Sequence, residues 1–154
     1  MARSNYSNST SDMIEKAALQ YGIPSELLRA MAMVESGCSP YSVNTAGGAR
    51  RFNSETEAVN FIKDEVRRGN RNMSVGCMQL HYQTHGRYFT SVADMVSCEK
   101  NILYAASLLR SLYDRYGSWE KAVKMYHSRR AKYSSRYYKK VMKQYGGDKK
   151  LLAD

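Results

Sequence analysis

The sequence predicts a mainly α fold, a helical bundle around one central helix with a small irregular or β-hairpin region at its side. Three observations carry that expectation. Apolar residues recur at spacings of three, four and seven in successive runs along the chain, which is the core stripe of amphipathic helices. The 10 Gly and 2 Pro fall mostly between those runs, where they punctuate rather than interrupt. No apolar run approaches membrane-spanning length, and 154 residues suffice for one domain, here 1–154, with a real core. Residues 1–10 and 147–154 read as flexible tails.

Taken in order, Ser11 is placed to cap a first helix carrying Ile14, Ala17, Ala18 and Tyr21, which Gly22 ends. Pro24 suits the opening of a second helix and Gly37 its left-handed close. From Ser39 the pattern breaks into SPYSVNTAGGAR, the most plausible strand region. Ser54 and Glu57 form a capping box for a third helix through Ala58, Phe61, Ile62 and Val66 as far as Gly69. Gly76 permits a tight turn, and Met78 to Tyr82 reads as the start of a short helix. After a polar loop from Thr90 to Ser97, the run from Cys98 to Tyr116 sets Ile102, Ala105, Ala106, Leu109 and Leu112 on one face and is the expected central helix. Gly117 stops it, Ser118 opens a helix through Trp119, Ala122, Val123 and Tyr126, and a last helix is expected over Ser134 to Tyr145.

One carboxylate in this scheme is chemically unusual. Glu35 follows Leu28 by two turns and Met31 by one, so it falls on the apolar face of the second helix, near its C-terminus. Lost solvation and the negative end of the helix dipole both favour the protonated acid, as a general acid working near neutral pH requires. The plain alternative is a Glu at the margin of the stripe, reaching to water or to a Lys or Arg.

The net charge of +10 is concentrated at one end. From Lys121 to Lys150 there are eleven Lys and Arg against Asp148 alone, so the partner of the C-terminal third is expected to be anionic. Nucleic acid, an acidic lipid surface and an acidic wall polymer all satisfy that charge. Cys38, Cys77 and Cys98 cannot all pair within one chain and match no zinc spacing; they read as buried thiols, with Cys38–Cys98 the preferred pair in an oxidising compartment. The opening MARSNYSNSTSD lacks the apolar segment of an export signal, as a processed chain would.

The order of motifs resembles the catalytic domain of the soluble lytic transglycosylases, relatives of goose-type lysozyme that cut peptidoglycan. Glu35-Ser36-Gly37 is similar to the family's first motif, a Glu-Ser pair ending the second helix. Gly76-Cys77-Met78-Gln79 is similar to Gly-Leu-Met-Gln, with Cys77 in the Leu place. Asn101 to Leu109 resembles the central helix, and Tyr116-Gly117-Ser118-Trp119 the turn after it. Met125-Tyr126-His127-Ser128 stands in the place of Ala-Tyr-Asn, and Tyr137 is similar to the Tyr that approaches the catalytic acid from the last helix, with Tyr138 the register alternative. Two departures are His127 for the usual Asn, and Asn44 where Ser is common; the stretch from Gly47 to Asn72 is also longer than usual.

The resemblance implies a lysozyme-like α+β fold and cleavage of the β-1,4 bond between N-acetylmuramic acid and N-acetylglucosamine. Glu35 would be the catalytic residue, acid first and then base. Ser36, Asn44, Met78, Gln79, Tyr126, His127 and Tyr137 would bind or shape the sugar site, with no metal and no cofactor. Met78 is equally read as core, and His127, His81 and His85 as polar wall residues. The implied partner is the peptidoglycan strand, met by a monomer in the periplasm or envelope beside a secretion, conjugation or flagellar machine, without nucleic acid or a membrane span. Hydrolysis of the lysozyme type is the nearest rival; it needs a second carboxylate, and Glu55, Glu57, Asp64 and Glu65 all lie in the longer stretch. From other classes, the tyrosines and cations of the C-terminal third also fit a nucleic-acid-binding module, and the fold fits a non-catalytic wall-binding protein.

Overall fold

The computed structural model describes residues 2–127 and 131–152. Ser128, the last residue of the third motif, lies outside them.

The longest described amphipathic run becomes the central element. Helix α6 spans Cys98–Tyr116 and buries Asn101, Ile102, Ala105, Ala106 and Leu109. Gly117, at φ 77°, closes it in the left-handed conformation that costs glycine least. Helix α1 (Ala2–Tyr21) and helix α7 (Trp119–His127) pack on it, and helix α5 (Val92–Val96) abuts its start. Helix α2 (Ser25–Ser36) and helix α8 (Ala131–Gln144) pack against each other, and α8 also against α7. Ile14, Leu27, Leu28, Met31, Ile102 and Leu109 are buried in one cluster, each contributing about 1.5–3 kcal/mol by leaving water.

Beside the helices lies an antiparallel sheet in the order β2-β1-β3-β4. Strands β1 (Ser42–Thr45) and β2 (Gly48–Arg51) form the expected hairpin, pairing Thr45 with Gly48 across a two-residue turn. Strand β3 (Ser74–Val75) pairs with β1, and β4 (Leu80–His81) with β3. Helix α3 (Glu55–Arg67) packs on β1 and α5, its N-terminus capped as the sequence indicates: Ser54 Oγ accepts from Glu57 N, while Glu57 Oε2 accepts from Asn53 N.

Several boundaries differ from expectation. Helix α1 begins at Ala2, not at a Ser11 cap, because Thr10 is buried with its hydroxyl 3.9 Å from Cys98 Sγ, and this docking extends the helix upstream. The segment from Met78 to Tyr82 is not a helix start: Gly76 (φ 83°) and Gln79 (φ 50°) turn the chain, so Leu80 pairs with Val75 and a short helix α4 (Tyr82–His85) follows. The polar stretch after Thr90 contains α5, where Ser91 Oγ accepts from Asp94 N and Met95 and Val96 are buried. Helix α8 starts three residues before Ser134. The C-terminal end is held at least to Leu152, which is buried, while Tyr145 donates to the Asp148 carbonyl at 2.9 Å. Among the described residues no helix is long and apolar enough to cross a membrane.

Candidate active site

Glu35 sits in the last turn of α2, whose inner face Leu27, Leu28, Met31 and Ala32 anchor in the core. Three sets of contacts fix that turn. The Gly37 N–H, at φ 64°, returns to the Met33 carbonyl at 2.9 Å, and the Cys38 N–H to the Ala32 carbonyl at 3.1 Å. Arg51 of β2 donates to the Ser36 carbonyl at 3.0 Å, placing a cation at the negative end of the helix. Ser36, itself buried, donates to the Cys77 carbonyl at 2.7 Å and so ties α2 to the turn between β3 and β4.

Glu35 is half-buried, and burial raises its pKa to about 7 against the opposing influence of Tyr137. Tyr137 comes from α8 with its hydroxyl buried. It lies near enough to lower the carboxyl's pKa, yet without strict hydrogen-bond geometry, so the contact is long or oblique. Tyr126 of α7 lies close enough to feel Glu35's charge, but its hydroxyl proton is committed to the Met78 carbonyl at 2.7 Å. Both phenols are pushed well above the ordinary tyrosine range, first by burial, and remain neutral near pH 7.

The β3–β4 turn is held from beneath by Asn101. Its Oδ1 accepts from Met78 N at 2.9 Å, and its Nδ2 donates to the Val75 carbonyl at 3.0 Å and the Met95 carbonyl at 2.9 Å. Its amide packs against Gly76 where a β-carbon would stand. Gln79 bridges the turn to β1 by donating to the Gly76 and Ser42 carbonyls at 2.9 and 3.2 Å, which leaves its amide oxygen for a ligand.

These elements enclose a cleft of about 450 Å³ with Glu35 in its wall. Asn44, Gln79, Tyr126 and His127 line it, as do His81 and His85; Leu80 and Leu108 supply apolar surface. Tyr137 lines an adjoining lobe that also reaches Glu35, and its ring stacks on His127 with centroids 4.3 Å apart. Burial and the Lys140 charge lower the His127 pKa, so the ring is neutral near pH 7. His81 is engaged by Asn72 and Thr84, and His85 by Tyr104. Of the residues expected in the site, Ser36 and Met78 do not line the cleft. Met78 is fully buried, and its backbone, not its thioether, serves the site through Asn101 and Tyr126.

Three carboxylates of the longer stretch are occupied elsewhere, Glu57 at the α3 cap, Asp64 with Arg67, and Glu65 with Asn70 and Arg68, while Glu55 is exposed in the first turn of α3 and does not line the cleft. Among the described residues lining the cleft and its lobe, Glu35 is the one carboxyl group.

The expected Cys38–Cys98 pair is not formed. All three thiols are free, and Cys77 lies close enough to both others for each to shift its titration, because Ser36 and Asn101 draw its turn into the gap between the end of α2 and the start of α6. The Cys77 contact lowers the Cys38 thiol to about 7, helped by the charge of Arg29, while Cys77 itself is pushed up.

Sequence reasoning overlooked Asn101 and Arg51 as supports. The signal for Asn101 was a polar side chain four residues before Ala105, inside the apolar stripe of the central helix. Arg51 had none, since its role depends on the sheet bringing β2 under α2.

A mainly helical α+β fold with a small sheet beside a cleft belongs to the lysozyme-like class. The transglycosylase SLT domain model matches residues 12–141, and the chain belongs to that family. Neither a curated protein nor a solved structure matches it. The family is one of lytic transglycosylase-type enzymes that cleave peptidoglycan.

Proposed function

We propose that the protein is a peptidoglycan lytic transglycosylase in which Glu35 acts as acid and then as base. Protonated Glu35 gives its proton to the glycosidic oxygen between N-acetylmuramic acid and N-acetylglucosamine. The substrate's N-acetyl group stabilises the charge that develops at C1. Glu35, now a carboxylate, takes the proton of the C6 hydroxyl, which attacks C1 and leaves a 1,6-anhydro end. The observation that carries this reading is that Glu35, the one carboxyl among the described residues of the cleft wall, has a pKa of about 7. A mechanism needing one group in both protonation states is best served by a pKa near the working pH. Hydrolysis would want a second carboxylate to hold water on the far face of the sugar.

In this reading the Gln79 amide oxygen and Asn44 meet polar groups of the sugar, and Tyr126 and His127 form the opposite wall. Ser36 and Met78 hold the wall from behind. The substrate places the site of action in the cell envelope, where a machine that must cross the wall is a fitting partner. Mass spectrometry of products from purified sacculi tests the reaction: 1,6-anhydromuramyl ends are expected, and reducing ends released with uptake of water would overturn transglycosylation in favour of a muramidase.

Tyr137 lowers the Glu35 pKa, so Tyr137→Phe should raise it. The acid form then persists to higher pH, and the falling alkaline limb of the rate profile should move upward. An unmoved limb in a folded variant would show that Tyr137 does not act on Glu35.

A further inference from the structure

The cleft does not end at Glu35. A second lobe of about 290 Å³ continues on the α8 side, sharing Glu35 and His127 with the main cleft. The two lobes differ in chemistry. The first is lined by amides, hydroxyls and imidazoles, while the second adds Tyr133, Tyr137, Arg136 and Lys140. Arg136 and Lys140 stand four residues apart, hence on the same face of α8, above the His127–Tyr137 stack.

Cations on a helix usually form a solvated face. One fact sets this pair apart. Helix α8 carries Lys132, Arg136, Lys139, Lys140 and Lys143 with no acidic residue, yet only Arg136 and Lys140 among these line the lobe. Like the other cations of α8, neither has a salt-bridge partner among the described residues, so both charges are open to a ligand. Two exposed, unpaired cations in a lobe otherwise lined by Val34, Glu35 and the rings of His127, Tyr133 and Tyr137 suit a carboxylate, with the guanidinium able to hold it by two parallel bonds.

We propose that this lobe is an anion subsite for the muramyl side chain, with Arg136 and Lys140 holding a carboxylate next to the scissile bond. The inference rests on the peptidoglycan-cleaving reading of the same cleft. A strand cut at Glu35 must extend to both sides of that residue, and every second sugar carries a lactyl ether. On a bare strand this ends in its own carboxylate; on a substituted strand it continues into a stem peptide with carboxylates further out. Both sources present the same chemistry to the lobe.

The test measures binding in a Glu35→Gln background, so that cleavage does not intervene. Peptide-bearing glycan, glycan stripped of peptides by an amidase, and chitotetraose, which has no lactyl group, are compared for Arg136→Gln and Lys140→Gln. Affinity for the muramyl ligands relative to chitotetraose should fall about tenfold for each variant, as for loss of a hydrogen bond to a charged group. Arg136→Lys should recover part of the loss. A fall confined to peptide-bearing glycan assigns the stem-peptide carboxylates; one confined to stripped glycan assigns the lactyl carboxylate; a fall on both shows that the lobe takes either. An unchanged ratio, including an equal loss on all three ligands, overturns the subsite. The unsubstituted chain on sacculi is the separate control: if it releases no muropeptides, the catalytic reading fails, while the binding ratio still decides the lobe.

Discussion

Glu35→Gln should abolish release of muropeptides from sacculi, with kcat falling by roughly 10³-fold or more, because one side chain supplies both proton transfers. Glutamine keeps the shape and polarity of the side chain but has no proton to give, so binding of glycan strands should survive. The parent enzyme should lose activity as pH rises through about 7, where the acid form of Glu35 disappears. The same substitution should stabilise the fold, with a pH dependence of definite sign. Glu35 has a folded pKa of about 7 against 4.5 when free, so the folded state holds its proton more tightly. Below pH 4.5 both states are protonated and the residue costs nothing. Between 4.5 and 7 the unfolded chain ionises first, and stability falls as pH rises. Above 7 the whole cost is present, of order 2–3 kcal/mol once partial solvent access is allowed for. Denaturant titrations at pH 4 and pH 8 should therefore show parent and Glu35→Gln converging at the lower pH and separating at the higher. A mutant that is no more stable at pH 8, or that still digests sacculi, would remove Glu35 from the mechanism.

What made Glu35 visible in the sequence was periodicity, since a carboxylate two turns after Leu28 on an apolar stripe conflicts with its surroundings. The helices were legible for the same reason, and the first hairpin because Gly47-Gly48 interrupts them. The second strand pair was not. Ser74-Val75 and Leu80-His81 are too short to show alternation, and what makes them strands is the pairing of Ser74-Val75 with β1, about thirty residues away, onto which Leu80-His81 then pairs. The same limit hid the role of Met78. A Met in a sugar-site motif suggests a contact with sugar, but the positive φ at Gln79 directs the turn so that Met78 points into the core while Gln79 lines the cleft. The thiols escaped because spacing in the chain carries no information about which turn is pulled between two helices.

Asn101→Ala should be the most damaging substitution away from the cleft surface. Asn101 is fully buried, and its one amide serves Met78 N, Val75 O and Met95 O. Alanine would leave those three backbone groups unpaired in a dry interior, at about 1–3 kcal/mol each if none finds a new partner. Relaxation recovers part of this, so a net loss of about 3–5 kcal/mol is expected, with a fall in Tm of roughly 10 °C or more. Aspartate would not rescue the site: it keeps the acceptor for Met78 N but sets a negative charge against two carbonyl oxygens. Activity should drop even below the melting transition, because the turn that Asn101 supports carries Gln79 and, through the Ser36 bond to the Cys77 carbonyl, braces the helix end bearing Glu35. Thermal denaturation together with sacculus digestion at low temperature separates the two effects. A variant that melts within 2 °C of the parent would mean that the turn holds its shape without Asn101. One that melts early but digests normally in the cold would confine Asn101 to stability. Loss of both is the outcome expected of a residue that joins the central helix to the wall of the cleft.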